Sequence, residues 1–303
     1  MSLMLKYKLN KADDGKTVER ILKREFDISS KLFIYLKMNK RIFLNEHVCR
    51  SIDICKAGDI VSADISENFE DYGEILPWKE ELNILFEDDF ILVVNKPGGM
   101  EVHPCLGNRS TTLANAVMYH WAKSGEYHNY HIVNRLDKDT SGICIIAKNR
   151  FSHSVLSGQM KNGEFSRSYT AILHGTPREM EGTIEVPIKR DPSGIIKRVA
   201  ADDGKYAKTN YKLLDSCMGY SVARVNLETG RTHQIRVHFS HIGHPLVGDW
   251  LYGNGDNERE LINRQALHAG FVKFLHPENK KVMQFAADLP LDMKNLWEFV
   301  KKK

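Results

Sequence analysis

Leu82-Asn83-Ile84-Leu85-Phe86-Glu87-Asp88-Asp89-Phe90-Ile91-Leu92-Val93-Val94-Asn95-Lys96-Pro97-Gly98-Gly99 is where the texture of the chain changes. An alternating run and a continuous apolar run flank an acidic turn, and a Lys-Pro-Gly-Gly turn closes the second run. That pattern predicts two neighbouring strands. Further strands are expected at Ile143–Ala147, Tyr169–Leu173, Thr209–Leu214 and Tyr220–Leu227. Helices are expected from a Thr111 or Thr112 cap through Leu113, Ala116, Val117 and Tyr119, then over 150–161 and 232–242. Many strands, few helices and no regular βαβ rhythm predict an α+β body over 82–303, built on a mainly antiparallel sheet.

Upstream the chain is charged in blocks. Residues 66–89 carry nine acids against Lys79 alone, and 67–81 reads as an acidic linker. Residues 1–65 carry 13 Lys and Arg against 9 Asp and Glu, so the net charge of +4 resides there. Within this head, Val18, Ile21, Leu22 and Phe26 predict a helix over 13–26 capped by Asp13 or Asp14. A second helix follows Ser29 or Ser30 and ends near Asn39. The stretches 41–48 and 59–65 predict small strands. Two helices, small strands and the bases Lys31, Lys37, Lys40, Arg41 and Arg50 resemble the αL-type RNA-binding domain of ribosomal proteins, placed at 1–66. Lys40 and Glu46 stand where that motif usually has Gly, so altered turns are expected there.

The bulk figures narrow the class. A content of 42% apolar and 27% charged residues is that of a globular chain. No run approaches the roughly 18 apolar residues of a membrane span, and no signal-peptide core follows Lys6, Lys8 and Lys11. Five scattered cysteines without a C-x-x-C pair fit reduced thiols, so a cytoplasmic location is expected.

Two stretches carry chemistry. Residues 131–142, HIVNRLDKDTSG, place two bases and two acids between apolar runs. A surface turn and a functional loop both fit this composition. Asp137 and Asp139 sit on one loop, poorly placed to flank a glycosidic bond as a carboxylate pair would. Residues 229–245, TGRTHQIRVHFSHIGHP, predict a helix capped by Thr232 with an apolar stripe of Ile235, Phe239 and Ile242. His238 and His241 lie at i, i+3 without an H-E-x-x-H or Cys partner, which does not make a metal site.

Together NKPGGMEVHP (95–104), RLDKDTSGICIIAKN (135–149), SYTAILHG (168–175), TGRTHQIRVHFSHIGHPLVGDWLYG (229–253) and ALHAGFVKFLHP (266–277) resemble, in that order, the RluA family of RNA pseudouridine synthases. The likeness covers nearly all of 80–303, and an αL-type head is a frequent partner in that family. It implies isomerisation of uridines in ribosomal or transfer RNA, with Asp137 as the catalytic carboxylate. Attack at uracil C6, attack at ribose C1′ and removal of the 2′ proton all remain open. Arg236 would pair with Asp137, and Tyr169 would stack on the flipped base. Leu267 would wall the uracil pocket, Arg135 would fill the vacated RNA stack, Lys96 and Arg231 would contact phosphate, and His103 and Thr140 would support the loop. Asn134 stands where relatives often carry His, which bears on a hydrogen bond near the loop. No redox step or hydrolysis is implied, so no cofactor or metal is expected, and the chain should act as a monomer. The alternative is a non-catalytic RNA-binding or ribosome-assembly protein on the same fold.

Overall fold

The computed structural model describes residues 3–67, 75–194, 196–253 and 258–302. At the N-terminus β1 (Met4–Lys8), α1 (Val18–Phe26), α2 (Ser30–Met38), β2 (Ile42–Leu44), β3 (His47–Val48) and β4 (Ile60–Asp64) follow in order. Their strands form one sheet in the order β1-β4-β2-β3. Strand β1 was not legible, because MLKYK is short and carries two lysines. Helix α1 starts five residues later than expected. Gly15 takes φ +76°, which ends the preceding 3-10 turn, and Thr17 caps the helix. Asp13 is fully buried instead, where it accepts from Tyr7, Lys16, Arg24 and the Asn10 amide. The glycine-like turns are kept without glycine: Lys40, Asn45 and Glu46 take φ of 55°, 50° and 69°. At 45–46 the hairpin requires two left-handed residues. Asn45 anchors it to β4 by exchanging bonds with Asp59 and the Ile60 amide at 2.8 and 2.9 Å.

The rest of the chain contributes β5 (Ile84–Glu87), β6 (Ile91–Lys96), α3 (Leu113–Lys123), β7 (His131–Ile132), β8 (Ser141–Ala147) and α4 (Arg150–Asn162). Then come β9 (Ser166–His174), β10 (Glu181–Glu185), β11 (Ile188–Arg190), β12 (Arg198–Ala200), β13 (Lys208–Cys217) and β14 (Tyr220–Leu227). Helix α5 (Gln234–His241), β15 (Leu267–Leu275), β16 (Val282–Ala286) and α6 (Leu291–Lys302) complete the order. The large sheet runs β10-β13-β14-β9-β15-β8-β6-β5, with β16 beside β15 and β7 beside β8. Among the described residues its pairs are antiparallel except β15 with β8. At that parallel junction Gly142 faces Ala269, and a Cβ there would fall 2.3 Å from the Ala269 carbonyl oxygen. Only glycine lets the two backbones meet. The sheet is therefore pinched beneath the loop that carries Asp137.

The head does not stand apart. Leu22, Phe33, Leu36, Ile42 and Ile65 share one apolar cluster with Ile91, Phe151, Val155 and Phe274 of the large sheet and α4. Two guanidinium groups approach the ring of Tyr35 in α2, Arg41 at 5.8 Å and Arg150 at 4.6 Å from its centre. Of the segment read as a linker, 68–74 lie outside the described residues. The Glu67 side chain is only 7% exposed and accepts from Asn129 at 2.7 Å, His131 at 3.0 Å and the Arg150 amide. Further on, Ile75, Trp78 and Leu82 pack on the second core cluster, and Asn115 donates to Leu76 O at 2.7 Å. The described ends of this segment are straps tied down to the body.

Candidate active site

A cleft of about 780 Å3 opens over the middle of the sheet, and residues from 101–105, the 132–140 loop, β9 and the start of α5 line it. The loop is fixed from below before any functional side chain is considered. Asn134 is buried and behaves like a piece of strand, donating to Ile143 O at 2.9 Å and accepting from the Ile145 amide at 2.8 Å. The departure at this position thus makes two bonds to β8. Lys96 is also buried, and its ammonium donates to Pro97 O, Met100 O and Lys138 O at 2.8, 2.8 and 2.9 Å. All three N–H groups are spent on carbonyls, so Lys96 is a prop under the loop and not the phosphate contact expected of it. Burial pulls its pKa down to about 8. Arg264 donates to Asp139 O at 3.0 Å while paired with Asp292, and Thr140 accepts from Gln265 at 3.2 Å.

On this platform Asp137 is a quarter exposed and meets Arg236 Nη1 through Oδ2 at 3.3 Å. Arg236 is buried in the first turns of α5. Its Nε and Nη2 donate to both oxygens of the fully buried Asp249, at 2.7 and 2.9 Å. The Tyr252 ring covers its guanidinium at 5.0 Å. Burial works against the charge, but the Asp249 bonds and the two carboxylate fields outweigh it and hold the Arg236 pKa above its ordinary value. The guanidinium is thereby locked by one acid and offered to another.

Helix α5 begins two residues later than the expected 232. His233, at φ 58°, is the N-cap, so Thr232 is not. The turn before it is shaped by buried Gln234, which accepts from Thr229 and the Arg231 amide and donates to Lys208 O and Thr209. His238 uses both ring nitrogens, one on Thr209 Oγ1 and one on Val186 O, each at 2.9 Å. Tyr169 and Leu267 stand buried in the cleft wall on neighbouring strands. Burial raises the Tyr169 phenol pKa, and the Arg167 guanidinium beside it works the other way. Arg135 is exposed at the cleft. Arg231 lines it too, its Nε donating to Tyr206 O at 2.9 Å. His103 is exposed, its ring 5.9 Å from that of Tyr130, in the cleft wall and not beneath the loop. In the head Lys31, Lys37, Lys40 and Arg50 are exposed. Arg41 is engaged with Ser66 O and Tyr35.

Sequence reasoning missed Asp249, Tyr252, Arg167, Gln234 and Arg264. A signal existed for the first: an arginine facing the core needs a buried acid, and GDWLYG supplies one within the motif already quoted. Arg264 lies outside every quoted motif.

Comparison with known proteins identifies the family. A family model described as RNA pseudouridylate synthase matches residues 90–241. The chain is 39% identical over 290 residues to a Bacillus subtilis protein named as an uncharacterized RNA pseudouridine synthase, YhcT, covering 95% of this chain and 94% of that one. It is 40% identical over 239 residues to ribosomal large subunit pseudouridine synthase D of Buchnera aphidicola, covering 75% and 76%. The solved structure of human RNA pseudouridylate synthase domain containing 1 shares the fold, with a TM-score of 0.58 at 22% identity, covering 77% of this chain and 98% of that one. With the cleft and this near full-length likeness in view, the chain belongs to the RNA pseudouridine synthases of the RluA family, enzymes that isomerise uridine in RNA.

Proposed function

We propose that the chain converts uridines of large-subunit ribosomal RNA to pseudouridine with Asp137 as its catalytic carboxylate. The observation that carries this reading is the Asp249–Arg236–Asp137 chain at the floor of the cleft. A fully buried acid fixes the arginine, and the arginine orients the cleft carboxylate. In the reaction the N1–C1′ bond breaks, the uracil turns, and a C5–C1′ bond forms; N1 gains a proton and C5 loses one. Tyr169 and Leu267 provide a face and a wall for the uracil. Arg135, at the rim, occupies the gap in the RNA stack as the nucleotide leaves it. Residues 1–66 act as the RNA-binding domain, gripping the backbone through Lys31, Lys37, Lys40 and Arg50. The ribosomal target follows the name of the relatives, and a transfer RNA target is the competing outcome.

The test uses transcripts of large-subunit ribosomal RNA and of transfer RNA labelled with tritium at uracil C5. The parent should release tritium to water from the ribosomal transcript while all base stays in the RNA, and Asp137→Asn should not. Release of free uracil would indicate a hydrolase. Binding without tritium release would indicate a non-catalytic RNA-binding protein.

A further inference from the structure

We propose that His233 is a positioning residue: it donates from Nε2 to the same Asp137 oxygen that Arg236 addresses, leaving the other oxygen to the nucleoside. The inference rests on the reading of Asp137 above and adds a second donor and an orientation of the carboxylate.

Three observations carry it. The first is backbone. His233 holds a left-handed conformation, uncommon for a residue with a side chain, and its ring makes no capping bond to α5 in return. Held there by the Gln234 bonds, the backbone aims the ring into the cleft instead of over the helix end.

The second is a tautomer. The Tyr252 hydroxyl accepts the Arg198 backbone N–H at 2.9 Å and lies 2.9 Å from His233 Nδ1. In the proposed arrangement the hydroxyl, already accepting from Arg198, gives its single proton to Nδ1, which acts as the acceptor. A neutral imidazole then carries its proton on Nε2. Burial pushes the Tyr252 phenol up to about 12, so it keeps the proton it must donate. Burial also lowers the His233 pKa. Asp137 and Asp249 pull upward, while Arg236 and Arg198 add to the lowering.

The third is direction. Nε2 lies 3.9 Å from Asp137 Oδ2, the oxygen that Arg236 Nη1 reaches at 3.3 Å. A separation of 3.9 Å is longer than a hydrogen bond, and closing by about 1 Å as RNA loads makes it one. Both donors then fall on Oδ2, so Oδ1 is the oxygen presented to the nucleoside. Tyr252 ties the two donors together, since its ring lies on Arg236 and its hydroxyl on His233.

The experiment compares His233→Asn and His233→Gln with the parent, using the C5-tritiated ribosomal transcript. Asparagine tolerates the left-handed backbone and can accept from Tyr252, but it is too short to reach Asp137. Glutamine can extend an N–H to the position of Nε2. His233→Asn should lower kcat by about ten- to a hundredfold, the worth of a bond to a charged group, with KM within about threefold. His233→Gln should restore kcat to within about threefold. Nitrogen NMR of histidine-labelled parent, with the His233→Gln spectrum identifying the signal, should show the Nε2–H tautomer. Equal kcat in His233→Asn and parent, a Gln variant no better than Asn, or an Nδ1–H tautomer would each overturn the proposal while leaving Asp137 in place. A parent inactive on both transcripts would overturn the functional reading and this inference with it.

Discussion

The two carboxylates that share Arg236 should differ sharply in what they do for the folded state. Asp249→Asn keeps the shape of a fully buried side chain but turns an acceptor toward a donor. One of the two bonds at 2.7 and 2.9 Å is lost, and a guanidinium with 5% exposure is left without its principal counter-charge. Breaking such a buried pair costs about 3–5 kcal/mol. Asp137→Asn removes a partner that is a quarter exposed and joined by a single 3.3 Å contact, while Arg236 keeps Asp249. That change should cost less than about 1 kcal/mol of stability. Turnover should run the other way. Asp137→Asn should abolish it, and residual activity within tenfold of the parent, about 1.4 kcal/mol, would remove Asp137 from its role. Urea unfolding followed by circular dichroism gives the stabilities, and single-turnover tritium release gives the rates. An Asp137→Asn protein destabilised as much as Asp249→Asn would refute the argument that one acid locks the arginine and the other receives it.

Other outcomes follow from the same geometry. Arg135→Ala should slow reaction on a paired target far more than on an unstacked version of it, and Arg135→Lys should rescue poorly because an ammonium does not stack; equal single-turnover losses on both substrates would assign Arg135 to phosphate or loop contact. Lys31→Glu with Lys37→Glu should weaken RNA binding and flatten its salt dependence by about 0.7–0.9 per charge lost, read by filter binding over a salt series. Deleting 1–66 should instead compromise the body, because Phe151 and Val155 share their cluster with the head, and a truncated protein with an unchanged melting temperature would contradict the shared core. Glu67 is held below its ordinary carboxyl value: burial opposes the charge, but His131, Asn129 and the Arg150 amide outweigh it. Its contribution is present above the unfolded value of 4.5 and is lost as pH falls through the lower folded value. Melting temperature followed over acid pH should fall for the parent, and Glu67→Gln should flatten that fall; identical profiles would remove Glu67 from this role.

The strands flanking Asp88 were legible because alternation and continuous apolar runs report burial directly, and the same held for β8, β9, β13 and β14. Strands β1, β10, β15 and β16 were not. Their polar and apolar residues mix because one face meets solvent or a bulge interrupts the register, as between His268 and Phe271. At the cleft, Asp137 and Arg236 were named through the family resemblance, and the structure brings the two side chains together at 3.3 Å. Lys96 could not be read correctly. A lysine in a turn suggests a surface cation, and only the fold shows three carbonyls converging on its ammonium. Asp249 could have been sought as the buried acid that Arg236 needs, whereas Tyr252 gave no signal because its partners Arg198, His233 and Arg236 are brought to it only by the fold.

Lys96 and Arg264 hold the consecutive carbonyls of Lys138 and Asp139 from beneath, and Gly142 admits no side chain beside Ala269. This fixes the length of the loop. One residue inserted between Asp137 and Gly142 would carry a carbonyl off its cation and turn the carboxylate away from Arg236. An added residue should therefore be tolerated far better in the exposed rim of the cleft than in the turn that carries Asp137.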